Sequence, residues 1–213
     1  PWWTPPFIDK LASEDRCHLN GMAMSEGQPV YASMFGEGNS TRSWANTLTE
    51  SGVIYHIPSS EPVVHGLAMP HSPRLFDGEL FVLLSATGEL ARVDIESGKY
   101  NVVTRLNGFI RGMSRCGEHL FVGLSKIREN SSSFGKLDIA GKTNKSGIAI
   151  VHLPTGALVG KITYNTSVDE IYDIHILENT RRPNILNTLS GDHNLALMTP
   201  TTTYWARPND KPT

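Results

Sequence analysis

Short apolar runs that end in polar turns recur along this chain of 213 residues. Three of the runs begin at a glycine and lie at residues 52–60, 88–98 and 147–156. Each is followed by a second short apolar run, a pattern that predicts a β-hairpin. The predicted turns are Ser59-Ser60, Ser97-Gly98 and Thr155-Gly156. Because no segment has the length and the 3.6-residue periodicity of a long helix, the pattern predicts an all-β fold.

A further type of apolar run follows each hairpin and gives the pattern a longer period. Copies lie at residues 18–24, 66–84, 108–124 and 168–177. Leu80 and Leu120 occupy equivalent places in two copies and are 40 residues apart, which is close to the repeat of about 40–45 residues in WD40-type propeller blades. Four copies predict about four blades of a β-propeller. We expect the C-terminal part of a larger propeller, and a complete four-bladed ring or a β-sandwich is the structural alternative.

The predicted blades occupy residues 1–185, and residues 186–213 form a final strand or a C-terminal tail. One repeat is longer than the others because residues 126–146, rich in Ser, Asn, Lys and Gly, are inserted in it. We expect this polar insertion to be an exposed loop, because it has few large apolar side chains to offset the entropy of ordering it.

Six short runs of the sequence resemble a known family. They lie at residues 5–8, 14–21, 69–74, 88–90, 123–129 and 170–173. The resemblance covers about residues 3–183 and is to the mainly bacterial, uncharacterised family of the domain of unknown function 4915. It implies a propeller-like fold, a bacterial source and further sequence upstream of Pro1. It brings no established activity.

Polar residues recur at one step of the four predicted inner strands. When the strands are aligned by their small apolar residues, Asn20, His71, Arg111 and Glu170 fall in register. Because the innermost strand of each blade lines the central channel of a propeller, these side chains are expected to face one another. His18, Arg74 and Asp173 stand close to them in the sequence and belong to the same predicted cluster.

Such a cluster predicts one of two kinds of binding site. His18, Asn20, His71, Glu170 and Asp173 offer the nitrogen and oxygen ligands of a divalent cation such as calcium, and the arrangement loosely resembles the central metal site of gluconolactonase-like propellers. A cationic arginine beside a metal ion is unfavourable, however. An anionic ligand held by the positively charged and imidazole groups of the ring fits that position better; these groups are His71, Arg74 and Arg111.

Two functions therefore compete. The first is a scaffold that binds a small molecule or a protein through a polar central channel, with an upstream propeller segment or a second chain completing the ring. The second is a hydrolase or lyase at the channel mouth, with His71 as general acid or base, Glu170 as the second proton-transfer group and Arg111 as the stabiliser of negative charge.

Composition narrows the partners. The formal net charge is −2, so no basic field favours nucleic acid. No apolar run approaches the roughly 20 residues of a membrane span. We expect a soluble protein with no membrane partner, and the cytoplasm is the favoured location. The two cysteines, Cys17 and Cys116, are too few to indicate a disulfide framework.

Overall fold

The computed structural model describes residues 1–127, 134–135, 137–142, 145–166, 168–181, 189, 191–199 and 201–205. The main regular structure of the chain is three four-stranded antiparallel sheets, each with its strands in sequence order. The first sheet contains β1 (Leu19–Ser25), β2 (Gln28–Met34), β3 (Gly52–His56) and β4 (Glu61–Leu67). The second contains β5 (Pro70–Phe76), β6 (Glu79–Leu84), β7 (Glu89–Asp94) and β8 (Lys99–Arg105). The third contains β9 (Phe109–Cys116), β10 (His119–Ser125), β11 (Gly147–His152) and β12 (Ala157–Thr163).

Little else in the described residues is regular. The helical elements there are three short 3-10 turns at Ser43–Asn46, Ala140–Lys142 and Asp192–Leu195. None of the helices in the described part of the chain has the length and apolar character needed to cross a membrane. The chain divides into two compact units, Pro1–Ile176 and Leu177–Thr213. The second unit contains a two-stranded sheet of β13 (Ala196–Met198) and β14 (Thr203–Trp205).

The three predicted hairpins are confirmed. The strand pairs close on the residue pairs His56–Glu61, Asp94–Lys99 and His152–Ala157, which leaves the predicted turn residues between the strands. Gly98 and Gly156 end two of these turns with φ of 66° and 69°, a conformation that glycine adopts at little cost. At each hairpin, the residues of the turn and the alternation of the flanking strands therefore both favour the same β-hairpin.

The core lies between successive sheets. Strand β6 shows this best, because consecutive side chains of a strand point to opposite faces. Leu80 and Val82 belong to the apolar cluster shared with the first sheet, whereas Phe81 and Leu83 belong to the cluster shared with the third sheet. All four side chains are almost fully buried, which explains why this strand is a continuous apolar run.

The fourth inner strand predicted at residues 168–177 is not a strand. The segment 168–176 instead runs beside the end of β10 and is held by the Ser125 hydroxyl. This hydroxyl accepts a hydrogen bond from the Ile171 N–H (2.9 Å) and donates one to the Ile171 carbonyl (3.1 Å). The Lys126 N–H donates to the Asp169 carbonyl (2.8 Å). These three hydrogen bonds hold the segment in place, although it lacks the ladder of backbone hydrogen bonds that a partner strand would supply.

The insertion at residues 126–146 is not wholly the exposed loop that its polar composition predicts. Leu137 and Ile139 are buried in the apolar cluster of the first two sheets, and Phe134 stacks on Phe109 with ring centroids 5.8 Å apart. Burial of these three apolar side chains offsets the ordering entropy of the surrounding polar residues. Residues 128–133, 136, 143 and 144 of the insertion lie outside the described residues.

Docking of the insertion predicts how it responds to a protease. Replacing Leu137 by serine removes about 2 kcal/mol of apolar burial, so the cleavage rate in residues 126–146 should rise roughly 30-fold in limited proteolysis. Leu158→Ser is the matched control, since Leu158 is half-exposed on β12 and should leave that rate unchanged. Equal cleavage rates in wild type and Leu137→Ser would contradict docking of the insertion.

Candidate functional site

A cavity of about 500 Å³ opens where side chains of the second and third sheets meet residues that flank the strands of the first sheet, residues of the insertion and the segment 168–176. Four of its walls are the aromatic rings of Phe35, Phe109, Phe134 and Tyr172. Its polar groups are His18, His71, Arg111, Lys126 and Glu170, and Ile127 completes the lining. The cavity therefore combines an apolar, aromatic body with a few polar groups, the usual composition of a small-molecule site.

His71 is the most buried polar side chain of the cavity. Its Nδ1 atom lies 3.1 Å from the Met69 carbonyl oxygen and 2.7 Å from the Ser85 hydroxyl. Ser85 in turn donates to the Ile110 carbonyl (2.5 Å). Because the Ser85 proton is used in that bond and a carbonyl can only accept, Nδ1 must carry the imidazole hydrogen. Nε2 is then the nitrogen with a lone pair, and it is the one left to receive a ligand.

The His71 imidazole is held in its neutral form. The pKa of His71 is lowered from 6.5 to about 3, mainly by burial and also by the nearby Arg111 and His18, against the opposing effect of the Met69 carbonyl. The ring sits edge-on to Phe35 and Phe109, with centroids 5.2 and 5.8 Å away. At neutral pH, His71 therefore presents a fixed hydrogen-bond acceptor.

Arg111 and Glu170 form a largely buried ion pair in the same cavity. Arg111 Nη2 donates to Glu170 Oε2 at 2.8 Å, and the two side chains are only 18% and 16% exposed. The guanidinium carbon lies 4.4 Å from the Tyr172 ring centroid and 5.5 Å from that of Phe109. The aromatic rings thus hold the cation in place, and Glu170 neutralises it.

The predicted alignment of the inner strands holds for His71 and Arg111 and is shifted for Glu170. His71 pairs with Leu83 and Arg111 with Gly123, so the two residues occupy the same step of neighbouring sheets. Ser85 contacts the Ile110 carbonyl just as Ser125 contacts the Ile171 carbonyl. By that equivalence Tyr172, rather than Glu170, occupies the step of Arg111. The long Arg111 side chain nevertheless reaches Glu170, so Glu170 still belongs to the polar cluster.

Three predicted residues lie outside the cavity lining. Arg74 forms an ion pair with Asp173 through Nη2, at 2.9 and 3.1 Å from the two carboxylate oxygens. This pair joins β5 to the segment 168–176. Asn20 sits in a bulge of β1, where its Oδ1 accepts a hydrogen bond from Ser33 (2.7 Å) and its Nδ2 is buried without a partner among the described residues. Of the predicted cluster, the cavity gathers His18, His71, Arg111 and Glu170.

The carboxylates predicted to bind a metal are engaged by arginines instead. Glu170 pairs with Arg111, and Asp173 pairs with Arg74. No group of three or more His, Cys, Asp or Glu side chains in the described part of the chain is arranged to hold a metal ion. The described residues therefore offer no formed ligand set, and a divalent cation such as calcium stays a prediction.

Sequence reasoning missed the aromatic walls. Phe109 could have been found, because it precedes Arg111 by two residues and alternate side chains of a strand share a face. Phe35 and Phe134 lie outside the strands, so no periodicity marks them. Ser85 was missed too, although it follows a buried strand and supports His71.

Removing the Ser85 hydroxyl tests this support. Ser85→Ala leaves His71 Nδ1 with one weaker acceptor and leaves the Ile110 carbonyl without its donor, so the free energy of unfolding should fall by about 1–3 kcal/mol in urea titrations. Ser59→Ala is the matched control, because Ser59 bonds the Nδ1 atom of His56 at 2.8 Å on the exposed surface. Its cost should stay within about 0.5 kcal/mol, and an equal loss in both variants would contradict the buried relay.

Comparison with known proteins identifies the family and no function. Among the solved structures that are similar to this chain are two of computationally designed proteins, each at 11% sequence identity. The Ika4 protein covers 78% of this chain, which spans 84% of it, with a TM-score of 0.46. The Ika8 protein covers 76% of this chain, which spans 41% of it, with a TM-score of 0.42. No curated protein matches the chain. The domain of unknown function DUF4915 matches residues 1–186, and the chain therefore belongs to this family.

Proposed function

We propose that the three sheets are blades of a β-propeller and that the protein is a scaffold that binds a small molecule in the cavity around His71. Three features support the blade assignment: each sheet is a four-stranded antiparallel meander, successive sheets share a core, and the first strand of two of these sheets supplies lining residues. Propellers have about four to eight blades, so further blades from an upstream segment or a second chain are part of the proposal.

The observation that carries the binding proposal is the fixed acceptor of His71 inside an aromatic cavity. Its Nδ1 side is occupied by Ser85 and Met69, and its neutral Nε2 is available to a ligand hydrogen-bond donor. Arg111 and Glu170 are preorganised beside it, so a ligand meets polar groups that are already positioned. A recessed cavity of about 500 Å³ suits a small molecule better than a protein surface.

Binding is favoured over hydrolase or lyase chemistry by the same groups. A general acid or base works best with a pKa near the working pH, and the pKa of His71 lies near 3. Glu170, the second proposed proton-transfer group, is held by Arg111, and Arg111 is already neutralised by that pair. An acid–base role would require these contacts to break, whereas binding uses them as they stand.

A ligand-observed NMR screen with neutral, acidic and basic fragments tests the proposal. Hits should bind His71→Phe about three- to tenfold more weakly than wild type, which is the effect of losing one hydrogen bond. His175→Phe is the control, because His175 is exposed and does not line the cavity. A screen without hits, or hits indifferent to His71→Phe, would contradict a binding site here.

A further inference from the structure

We infer that the cavity takes a neutral, hydroxylated ring such as a sugar residue, and not a free anion or cation. The inference rests on the proposed small-molecule site and specifies its ligand class. The charges, the hydrogen-bonding groups and the walls of the cavity support it.

The charges of the cavity are already compensated. Arg111 pairs with Glu170, and Lys126 forms an ion pair with Asp169. His18 contacts the Asp15 carboxylate at 2.8 Å, so even a protonated His18 has a counter-charge. Each cationic group among the described lining residues thus has a carboxylate partner. A ligand carboxylate or phosphate would have to displace such a partner, and a ligand cation would add to charges that are already balanced.

The hydrogen-bonding groups of the cavity favour a ligand that both donates and accepts hydrogen bonds. His71 Nε2 can only accept, the Arg111 guanidinium can only donate, and the Glu170 carboxylate can only accept. A carboxylate ligand, which only accepts, would place its lone pairs against the lone pair of Nε2. A hydroxyl group donates to Nε2 and accepts from a guanidinium equally well. Neighbouring hydroxyls on one ring can therefore satisfy all three groups.

The walls suit a ring with apolar faces. Phe35, Phe109, Phe134 and Tyr172 surround the polar cluster, and Phe134 comes from the docked insertion. A sugar ring presents C–H groups on its faces and hydroxyls on its rim, so its faces can pack on the aromatic rings while its rim reaches His71 and Arg111. The cavity volume falls in the usual range for small-molecule sites, about 300–1,000 Å³.

The test uses sugars that share a ring and differ in charge. Glucose, galactose and mannose are compared with glucuronate, galacturonate and mannuronate and with glucosamine, galactosamine and mannosamine by saturation-transfer NMR and calorimetry. At least one neutral hexose should bind, and its uronate and amino counterparts should bind at least about tenfold more weakly. Its affinity should not change between low and high salt, because no net charge is paired on binding.

A matched pair of tyrosine variants locates the binding. Tyr172 is 63% exposed and stacks over Arg111, so Tyr172→Ala should fold and should weaken the hexose at least about fivefold. Tyr164→Ala removes a tyrosine outside the cavity and should leave affinity unchanged. Circular dichroism checks that both variants fold.

The other outcomes overturn the inference and separate it from the proposed function. A uronate that binds more tightly, with an affinity that falls as salt rises, would show an anion site. If no sugar binds while fragments from the screen still depend on His71, the ligand class is wrong and the binding scaffold stands. If neither sugars nor fragments bind, both fail.

Discussion

Replacing Gly112 by alanine should destabilise the protein by about 2–5 kcal/mol and loosen the segment 168–176. Gly112 has a φ of +73°, where a side chain costs about 1–2 kcal/mol. A Cβ atom there would collide with the Asp173 Cα and lie 2.8 Å from the Asp173 carbonyl carbon and 2.9 Å from the Ile174 nitrogen. These are backbone atoms, so the segment itself must move.

Gly117 supplies the control for this substitution. Its φ is +57°, but a Cβ atom there would meet nothing within 4 Å. Gly117→Ala should therefore cost only the backbone strain, about 1–2 kcal/mol in urea unfolding. Hydrogen exchange at the Ile171 amide, which bonds to Ser125, should accelerate in Gly112→Ala alone. Equal losses in both variants, with unchanged exchange, would mean that the segment does not rest on Gly112.

Acidification should destabilise the wild-type protein through His71. The pKa of His71 is about 3 in the folded protein and 6.5 ordinarily, so below pH 6.5 the unfolded chain binds a proton that the folded protein refuses. Stability from this group is present above pH 6.5 and is lost as the pH falls towards 3. Between pH 7 and pH 5 the loss should be about 2 kcal/mol.

Urea unfolding at pH 7 and pH 5 isolates this contribution. Other titrating groups act equally in wild type and His71→Gln. From pH 7 to pH 5, the free energy of unfolding should therefore fall by about 2 kcal/mol less in the variant than in wild type. His175→Gln makes the same chemical change at an exposed position and should keep the wild-type pH dependence. If His71→Gln also keeps it, His71 is not held neutral by burial.

The sequence predicted most of what local chemistry decides. The three hairpins follow from turn residues at Ser97-Gly98 and similar places, and β6 was readable as a buried strand because Leu80 to Leu84 are apolar without a break. His71 and Arg111 were placed at one step because the repeat of 40 residues holds between their strands. These features depend on residues that are close in the sequence or related by its repeat, so the sequence pattern is enough to predict them.

Features that depend on contacts distant in sequence escaped prediction. The first strand of each four-stranded sheet carries a bulge, and Gly112 is the extra residue in β9, so an alignment by apolar positions can slip. The segment 168–176 forms no strand, and the alignment there put Glu170 at the step that Tyr172, two residues later, occupies. The insertion was predicted to be exposed because its average composition is polar, whereas Phe134, Leu137 and Ile139 anchor it. The aromatic walls come from different sheets and loops, so only the fold brings them together.

The most direct test of the binding site is the protonation of His71 itself. Long-range proton–nitrogen NMR spectra of the imidazole at pH 7 distinguish the charged ring from the two neutral tautomers. We expect a neutral ring with its hydrogen on Nδ1, where Ser85 and Met69 accept it, and a bare Nε2 that persists down to about pH 4. A charged ring at pH 7, or a hydrogen on Nε2, would remove the acceptor on which the proposed site depends.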